Sequence, residues 1–201
     1  MAVISSDQVK HLREKTGAGM MDCKRALEES NGDVEAAIEY LRKKGAATAA
    51  KRADRETNQG VVEAYIHAGG RIGTMVELNC ETDFVAKTAD FKQLAHDIAM
   101  QIAAMNPHFI TKDDVDQATI AKEIEIYRQQ AINEGKPAHI AEKIAQGRLE
   151  KFYQEVCLLE QSFIKDSGKT IKDLISEATG KIGEKISIRR FQRFHLGEYG
   201  T

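Results

Sequence analysis

Apolar positions along the chain change period several times, and each change marks an element. Val9 and Leu12 share one helical face behind Ser5 and Gln8, which are spaced to close a capping box. Gly17 and Gly19 in Thr16–Met20 (TGAGM) break that helix with a tight turn. A second helix is predicted with Met20, Cys23, Ala26 and Leu27 on its inner side, ending at Asn31-Gly32. Asp33 caps a third, in which Val34, Ala37, Ile38 and Leu41 line one face before Gly45 stops it. Three short helices around a small core predict a miniature bundle over residues 1–45, a body suited to docking. Residues 46–60 lack any large apolar side chain and read as a solvated helix fading into a linker, with the boundary at Asp54–Gln59.

From residue 61 the pattern favours strands. Val61–His67 and Arg71–Leu78 flank Ala68-Gly69-Gly70, which predicts a hairpin. Helical spacing begins at Asp90 and runs to Ala104, with Phe91, Leu94, Ala95, Ile98, Ile102 and Met105 on the inward stripe before Pro107. The strand must therefore become a helix within TDFVAK, which puts Asp83 and Phe84 at the end of a sheet. Composition leaves two readings open there. Either an acidic-aromatic tip probes a partner, or Thr82 or Asp83 caps a short helix and Phe84 turns into the core.

Two long charged helices follow, Asp113–Glu134 and Ala138–Val156, joined by Gly135-Lys136-Pro137. Val115, Ala118, Ala121, Ile124, Tyr127 and Ala131 form one stripe, and Ile140, Ile144, Phe152 and Val156 the other, which predicts an antiparallel hairpin. Gly147 inside the second helix signals a close crossing or a weak point. A last helix with Ile171, Leu174, Ile175 and Ala178 is capped by Thr170 and closed by Gly180. The final alternation puts Ile186, Ile188, Phe194 and Leu196 on one face of a strand, with Arg190 and Gln192 interrupting it, and completes an antiparallel sheet. The fold class is α+β: a three-helix docking module (1–45), a helical linker (46–60), a hairpin, tip and helix (61–111), a helical hairpin (112–156) and a closing helix and strand (157–201).

Composition narrows the function classes. With 201 residues, 42% hydrophobic and 30% charged, the chain can bury a substantial core. Lys plus Arg number 29 against 31 Asp plus Glu, a net charge of -2. That balance argues against direct nucleic-acid binding, and Arg189, Arg190, Arg193 and His195 make a weak basic strip without a clear aromatic platform. No apolar run is long enough to span a bilayer and the N-terminus lacks a secretory pattern, so the expected location is cytoplasmic. Cys23, Cys80 and Cys157 and the six histidines show no metal spacing, and no cofactor or metal is expected. The glycines fit neither a phosphate loop nor a dinucleotide fingerprint, so no direct nucleotide binding is expected; Gly60 and Gly73 serve a bend and a close approach. Cys80 reads as a buried small hydrophobe rather than a nucleophile, and His96 as solvent-facing.

The first module resembles the ubiquitin-associated three-helix fold in its glycine-bearing loop and its DVEAAIEYL helix. Leu12–Gly45 (LREKTGAGMMDCKRALEESNGDVEAAIEYLRKKG) is still more similar to the N-terminal domain of bacterial elongation factor Ts. Asn79–Lys87 (NCETDFVAK) and Gly135–Ile164 (GKPAHIAEKIAQGRLEKFYQEVCLLEQSFI) carry the same resemblance, which extends from Val9 to Gly197. It implies a protein that is not an enzyme but a guanine nucleotide exchange factor for elongation factor Tu. It also implies that Thr82, Asp83, Phe84 and Val85 form a tip that disturbs the partner's magnesium and phosphate site. Thr16, Gly17, Ala18, Gly19, Met20 and Lys24 would contact the partner's nucleotide domain, and the 112–156 hairpin would protrude as a coiled coil.

One hairpin–TDF–helix unit precedes the coiled-coil region where long family members carry two halves of the core. The chain thus resembles the short form, and a homodimer is expected to restore the missing surface. Long members carry a histidine where Asp97 aligns. The competing readings are a ubiquitin-associated adaptor, which rests on Leu12–Gly45 alone, and a tRNA- or RNA-binding adaptor, which needs a coherent positive surface.

Overall fold

The computed structural model describes residues 4–198. In chain order the elements are α1 (Ser6–Thr16), α2 (Met20–Glu29), α3 (Val34–Lys51), β1 (Gln59–Ile66), β2 (Ile72–Cys80), α4 (Asp83–Ala86) and α5 (Ala89–Met105). There follow α6 (Gln117–Asn133), α7 (Ala138–Val156), β3 (Ser162–Phe163), β4 (Asp166–Thr170), α8 (Ile171–Ile182) and β5 (Ser187–His195). The fold is α+β, with N-terminal helices, small antiparallel sheets and further helices. One sheet has the strand order β1-β2-β5, and the other is the antiparallel pair β3-β4. Two compact units share these elements. The first comprises residues up to Val62, Glu77–Ala95 and Asp173–Arg189, and the second Glu63–Val76, His96–Lys172 and the chain from Arg190 on.

In the first unit the predicted capping box is formed: Ser5 Oγ accepts from the Gln8 amide at 3.2 Å, and Gln8 Oε1 accepts from the Ser5 amide at 2.9 Å. Gly17, at φ 68°, ends α1 in the left-handed conformation glycine tolerates. Asp33 Oδ1 accepts from the Glu35 and Ala36 amides and starts α3. Val9, Leu12, Cys23, Ala26, Leu27 and Ala37 form the core of these helices, each buried Leu contributing about 1.5–3 kcal/mol. Met20 is not on that inner side. It is the first residue of α2, ahead of the stripe that starts at Cys23, and it is exposed together with Met21.

Two helix stops differ from expectation. Helix α3 does not end at Gly45 but continues to Lys51, because the following Ala46, Ala47, Ala49 and Ala50 are strong helix formers. Gly45 instead permits contact: a Cβ there would lie 3.2 Å from the Ser176 carbonyl oxygen on α8. Helix α8 likewise runs through Gly180 to Ile182. Its stop is Gly183, at φ 82°, whose N–H donates to the Thr179 carbonyl at 2.9 Å.

In the second unit, the turn between β1 and β2 places Gly69 and Gly70 at positive φ, as the hairpin pattern requires. Helices α6 and α7 pack along one another. The predicted stripes hold in part: Val115 and Ala131 are buried, and Ile124 and Tyr127 half-buried. On α7 the buried residues are Ala141, Ala145, Leu149 and Tyr153, with Ile140, Ile144, Phe152 and Val156 half-buried beside them. On α6, Ala118 and Ala121 are exposed and Ile120 faces inward with Ile124. No close crossing occurs at Gly147, where a Cβ would meet nothing within 4 Å. Met105 is exposed at the end of α5. The face of β5 also changes. Arg189 and Arg190 are exposed in succession, which inverts the alternation, so Ile188 is buried but Phe194 and Leu196 face outward.

Buried polar groups join the base of α7 to α5 within this unit. Gln101 Nε2 donates to Gln161 Oε1 (3.2 Å) and to the Ser162 carbonyl (3.1 Å), while its Oε1 accepts from the Ile164 amide (2.9 Å). Gln161 Nε2 donates to the Glu155 carbonyl at 2.9 Å. Both side chains are fully buried, and their hydrogen bonds avoid the desolvation cost of an unpaired amide.

Candidate partner-contact site

The segment from Asn79 to Lys87 is a series of anchors around one uncovered aromatic side chain. Strand β2 ends with Leu78, Asn79 and Cys80 buried. Asn79 Nδ2 donates to the Thr57 carbonyl (3.0 Å) and ties the strand end to the chain before β1. Gly60 lies so close to β2 that a Cβ would come within 2.2 Å of the Leu78 carbonyl oxygen, so only glycine fits. Cys80 is completely buried, and burial, with the nearby Glu184 carboxylate second, pushes its thiol pKa up. A nucleophilic thiolate needs the opposite environment.

Glu81 collects three donors. The Lys185 amide (2.6 Å) and Arg52 Nη1 (3.2 Å) donate to Oε1, and Arg55 Nη1 (2.9 Å) to Oε2. The Lys185 amide, followed by the guanidinium groups, holds this carboxyl below its ordinary pKa. Lys185 Nζ in turn donates to the Ala53 and Arg55 carbonyls at 2.6 and 2.8 Å. The chain beyond α3 is thus fastened to both Glu81 and the segment after α8.

Thr82, and not Asp83, is the N-cap of α4. It has extended backbone angles, and its Oγ1 accepts from the Val85 amide at a long 3.5 Å. Glu184 supplies stronger ties: Oε2 accepts from the Glu81 and Thr82 amides (3.1 and 3.0 Å), and Oε1 from the Thr82 hydroxyl (2.6 Å). Asp83 is half-exposed and pairs with Lys87 Nζ at 2.6 Å, one turn on. That hydrogen bond holds its carboxyl below the usual range. Val85 is half-buried and Ala86 buried. Phe84 is the large apolar side chain of this segment that projects, 79% exposed, so the reading that places it in the core fails.

The other candidate residues lie between α1 and α2 in the same unit. Thr16, Gly17 and Ala18 are half-buried, whereas Gly19, Met20 and Lys24 are exposed. Lys24 is 3.7 Å from Glu28, a weak surface pair. The end of α8 touches both candidate segments. Lys181 passes Gly17 so closely that a Cβ there would lie 3.1 Å from its side chain, and its Nζ pairs with Asp90 at the start of α5 (2.7 Å). Glu184 stands three residues further on. Neither Lys181, Glu184 nor Lys185 was singled out by sequence pattern. The charged run Lys181–Lys185 at the end of the last helix is the only signal, and it does not say where the charges go.

His96 is solvent-accessible in part, as expected, but is also partnered. It is half-buried, with Nδ1 3.1 Å from Glu63 Oε1 and its ring edge-on to Tyr65. Asp97 pairs with Lys165 at 2.7 Å. Among the described residues no group of three or more His, Cys, Asp or Glu could hold a metal ion, and no helix is long and apolar enough to cross a membrane.

The family model described as elongation factor TS matches residues 6–198. The chain belongs to the elongation factor Ts family. It is 66% identical over 196 residues to elongation factor Ts of Carboxydothermus hydrogenoformans, covering 98% of this chain and 90% of that one. Elongation factor Ts of Moorella thermoacetica is 62% identical over 196 residues, with coverages of 98% and 97%. That of Caldanaerobacter subterraneus is 61% identical, with 98% of both chains covered. Membership of the elongation factor Ts family makes the chain a guanine nucleotide exchange factor for elongation factor Tu rather than a bond-making enzyme.

Proposed function

We propose that α4 is the part of the chain that displaces the nucleotide, with Phe84 as the wedge and Thr82, Asp83 and Val85 completing the tip. One observation carries this: a phenylalanine left 79% exposed on a turn whose neighbours are all anchored. Covering such a ring is worth about 1.5–3 kcal/mol, and a rigidly mounted aromatic spends that energy on a partner pocket instead of on its own fold. On elongation factor Tu the tip enters beside the magnesium and phosphate site, and Asp83 brings a negative charge to that metal environment. Weakening the hold on ion and diphosphate releases GDP, after which GTP occupies the site. Coupling is reciprocal, so the nucleotide-loaded partner binds this protein less tightly.

The bundle of α1, α2 and the first part of α3 serves as a ubiquitin-associated-like docking module, with Thr16 to Met20 and Lys24 as its contact loop. Exposed Met20 and the Gly17 turn support that reading. The α6–α7 pair is the coiled-coil arm, and the division into docking module, linker, core and arm follows the composition of the chain. A homodimer is favoured by Ile66, Met75 and Phe194, which leave apolar side chains uncovered on strands of the core.

Stopped-flow GDP release from cognate elongation factor Tu tests the assignment. Phe84→Ala is expected to lower the release rate at saturating protein while leaving the melting temperature unchanged. Met20→Ala is expected to raise the concentration needed for half-maximal release and spare the plateau. A Phe84→Ala protein that reaches the unmutated plateau removes the wedge.

A further inference from the structure

The wedge stands on a helix that cannot hold itself. Helix α4 has four residues, a single turn, and one turn fixes more backbone freedom than its own hydrogen bonds return. Its cap bond, at 3.5 Å, is at the limit of a useful contact. Phe84 contributes nothing to keeping the turn in place, since its ring is exposed. The Asp83–Lys87 pair lies on the surface and is worth little.

We infer that Glu184 is a positioning residue for nucleotide exchange: its carboxylate clamps the Glu81 and Thr82 amides and the Thr82 hydroxyl, and so sets the angle at which Phe84 meets the partner. This rests on the wedge reading above. The three hydrogen bonds, of 3.1, 3.0 and 2.6 Å, all fall on the two residues that lead into α4. They use both carboxylate oxygens, and two of them satisfy backbone donors that α4 itself cannot pair. Glu184 is half-buried in the short connection between α8 and β5, two residues beyond the end of the twelve-residue helix and one beyond its glycine stop at Gly183.

The chemistry also defines a rescue. A glutamine at 184 can turn its carbonyl oxygen to the two amides and its NH2 to Thr82 Oγ1, because a hydroxyl both donates and accepts. Glu184→Gln therefore keeps the clamp without the charge, whereas Glu184→Ala removes it.

The test is a cycle of GDP-release plateaus measured with the full chain and cognate elongation factor Tu. Glu184→Ala is expected to lower the plateau by about tenfold or more, since displacement of a reacting group by an ångström has effects of this order. The half-saturating concentration should change little, because the docking loop is intact. Glu184→Gln should regain most of the plateau. In a Phe84→Ala background Glu184→Ala should cost nothing further, a non-additivity that a general loss of stability would not produce. Should Glu184→Ala fail to fold, Thr82→Val, which deletes one of the three bonds, enters the same cycle. Equal losses for alanine and glutamine, or losses that multiply with Phe84→Ala, overturn the positioning role. An unmutated plateau for Glu184→Ala beside an impaired Phe84→Ala does the same while leaving the wedge standing. A normal Phe84→Ala plateau removes the wedge reading itself.

Discussion

Gly45 and Gly180 meet where α3 passes α8, and a Cβ on Gly180 would stand only 3.0 Å from the Gly45 Cα. Both are interior helix positions, where glycine ordinarily costs about 1 kcal/mol relative to alanine. The close approach of two helix backbones outweighs that cost. It also fastens α3 to α8 within the first unit, together with the pairing of Arg42 to Asp173 and Glu177 one turn earlier.

Gly180→Val should therefore destabilise the protein, by about 1–3 kcal/mol as for other overpacked sites. A urea titration followed by circular dichroism measures this. Unchanged stability would mean that the helices part easily and the contact is incidental.

Gly147→Ala should act in the opposite direction. The position is exposed inside α7 and its new methyl group meets nothing, so only the propensity gain of about 1 kcal/mol remains. Thermal melting should shift upward with the GDP-release plateau preserved. A loss of exchange would reveal that the arm uses local looseness at this point.

Glu81 should make the first unit sensitive to acid. Its folded pKa is depressed by the Lys185 amide and by Arg55 and Arg52, so its contribution to stability is complete above the unfolded value of about 4.3. It is lost as pH falls through the lower folded value. Glu81→Gln should consequently be less stable than the unmutated chain at pH 7, with the gap closing below about pH 4. Urea titrations across that range check it; a gap independent of pH would assign the effect to packing.

Ile66→Glu addresses self-association. Ile66 is 65% exposed, so the substitution does not injure the core, yet a carboxylate there opposes burial against a second copy. Light scattering should show a dimer for the unmutated chain and a monomer for the variant. Identical masses would place any dimer contact elsewhere.

Local rules carried the sequence reading a long way. The capping box at Ser5, the cap at Asp33 and the glycine turn at 69–70 depend on neighbours a few residues apart, and each is present. Stripes were less legible where small residues do the packing. Ala141 and Ala145 lie deepest on α7, but Ile140 and Ile144 are larger and draw the eye of any hydrophobicity pattern to the wrong side. Gln101 and Gln161 look like surface residues until their mutual hydrogen bond is seen.

The candidate tip shows the same division. Thr82 announces a cap, but composition leaves Phe84 open between core and tip, and only the folded unit shows the ring exposed. No spacing rule selects Glu184 as the partner of Thr82. The two are 102 residues apart, and the choice is made by the folded unit.

That separation orders the birth of the protein. A ribosome extruding this chain releases Thr82, Asp83 and Phe84 long before Glu184 has been polymerised, and the NCETDFVAK segment waits without its clamp through the synthesis of α5, α6, α7 and all of α8. A nascent or prematurely terminated chain carries the whole tip sequence and lacks its mounting. With Glu184 in the proposed positioning role, competence to open elongation factor Tu is gained only after the last helix is complete, and a protein that serves translation becomes active near the end of its own.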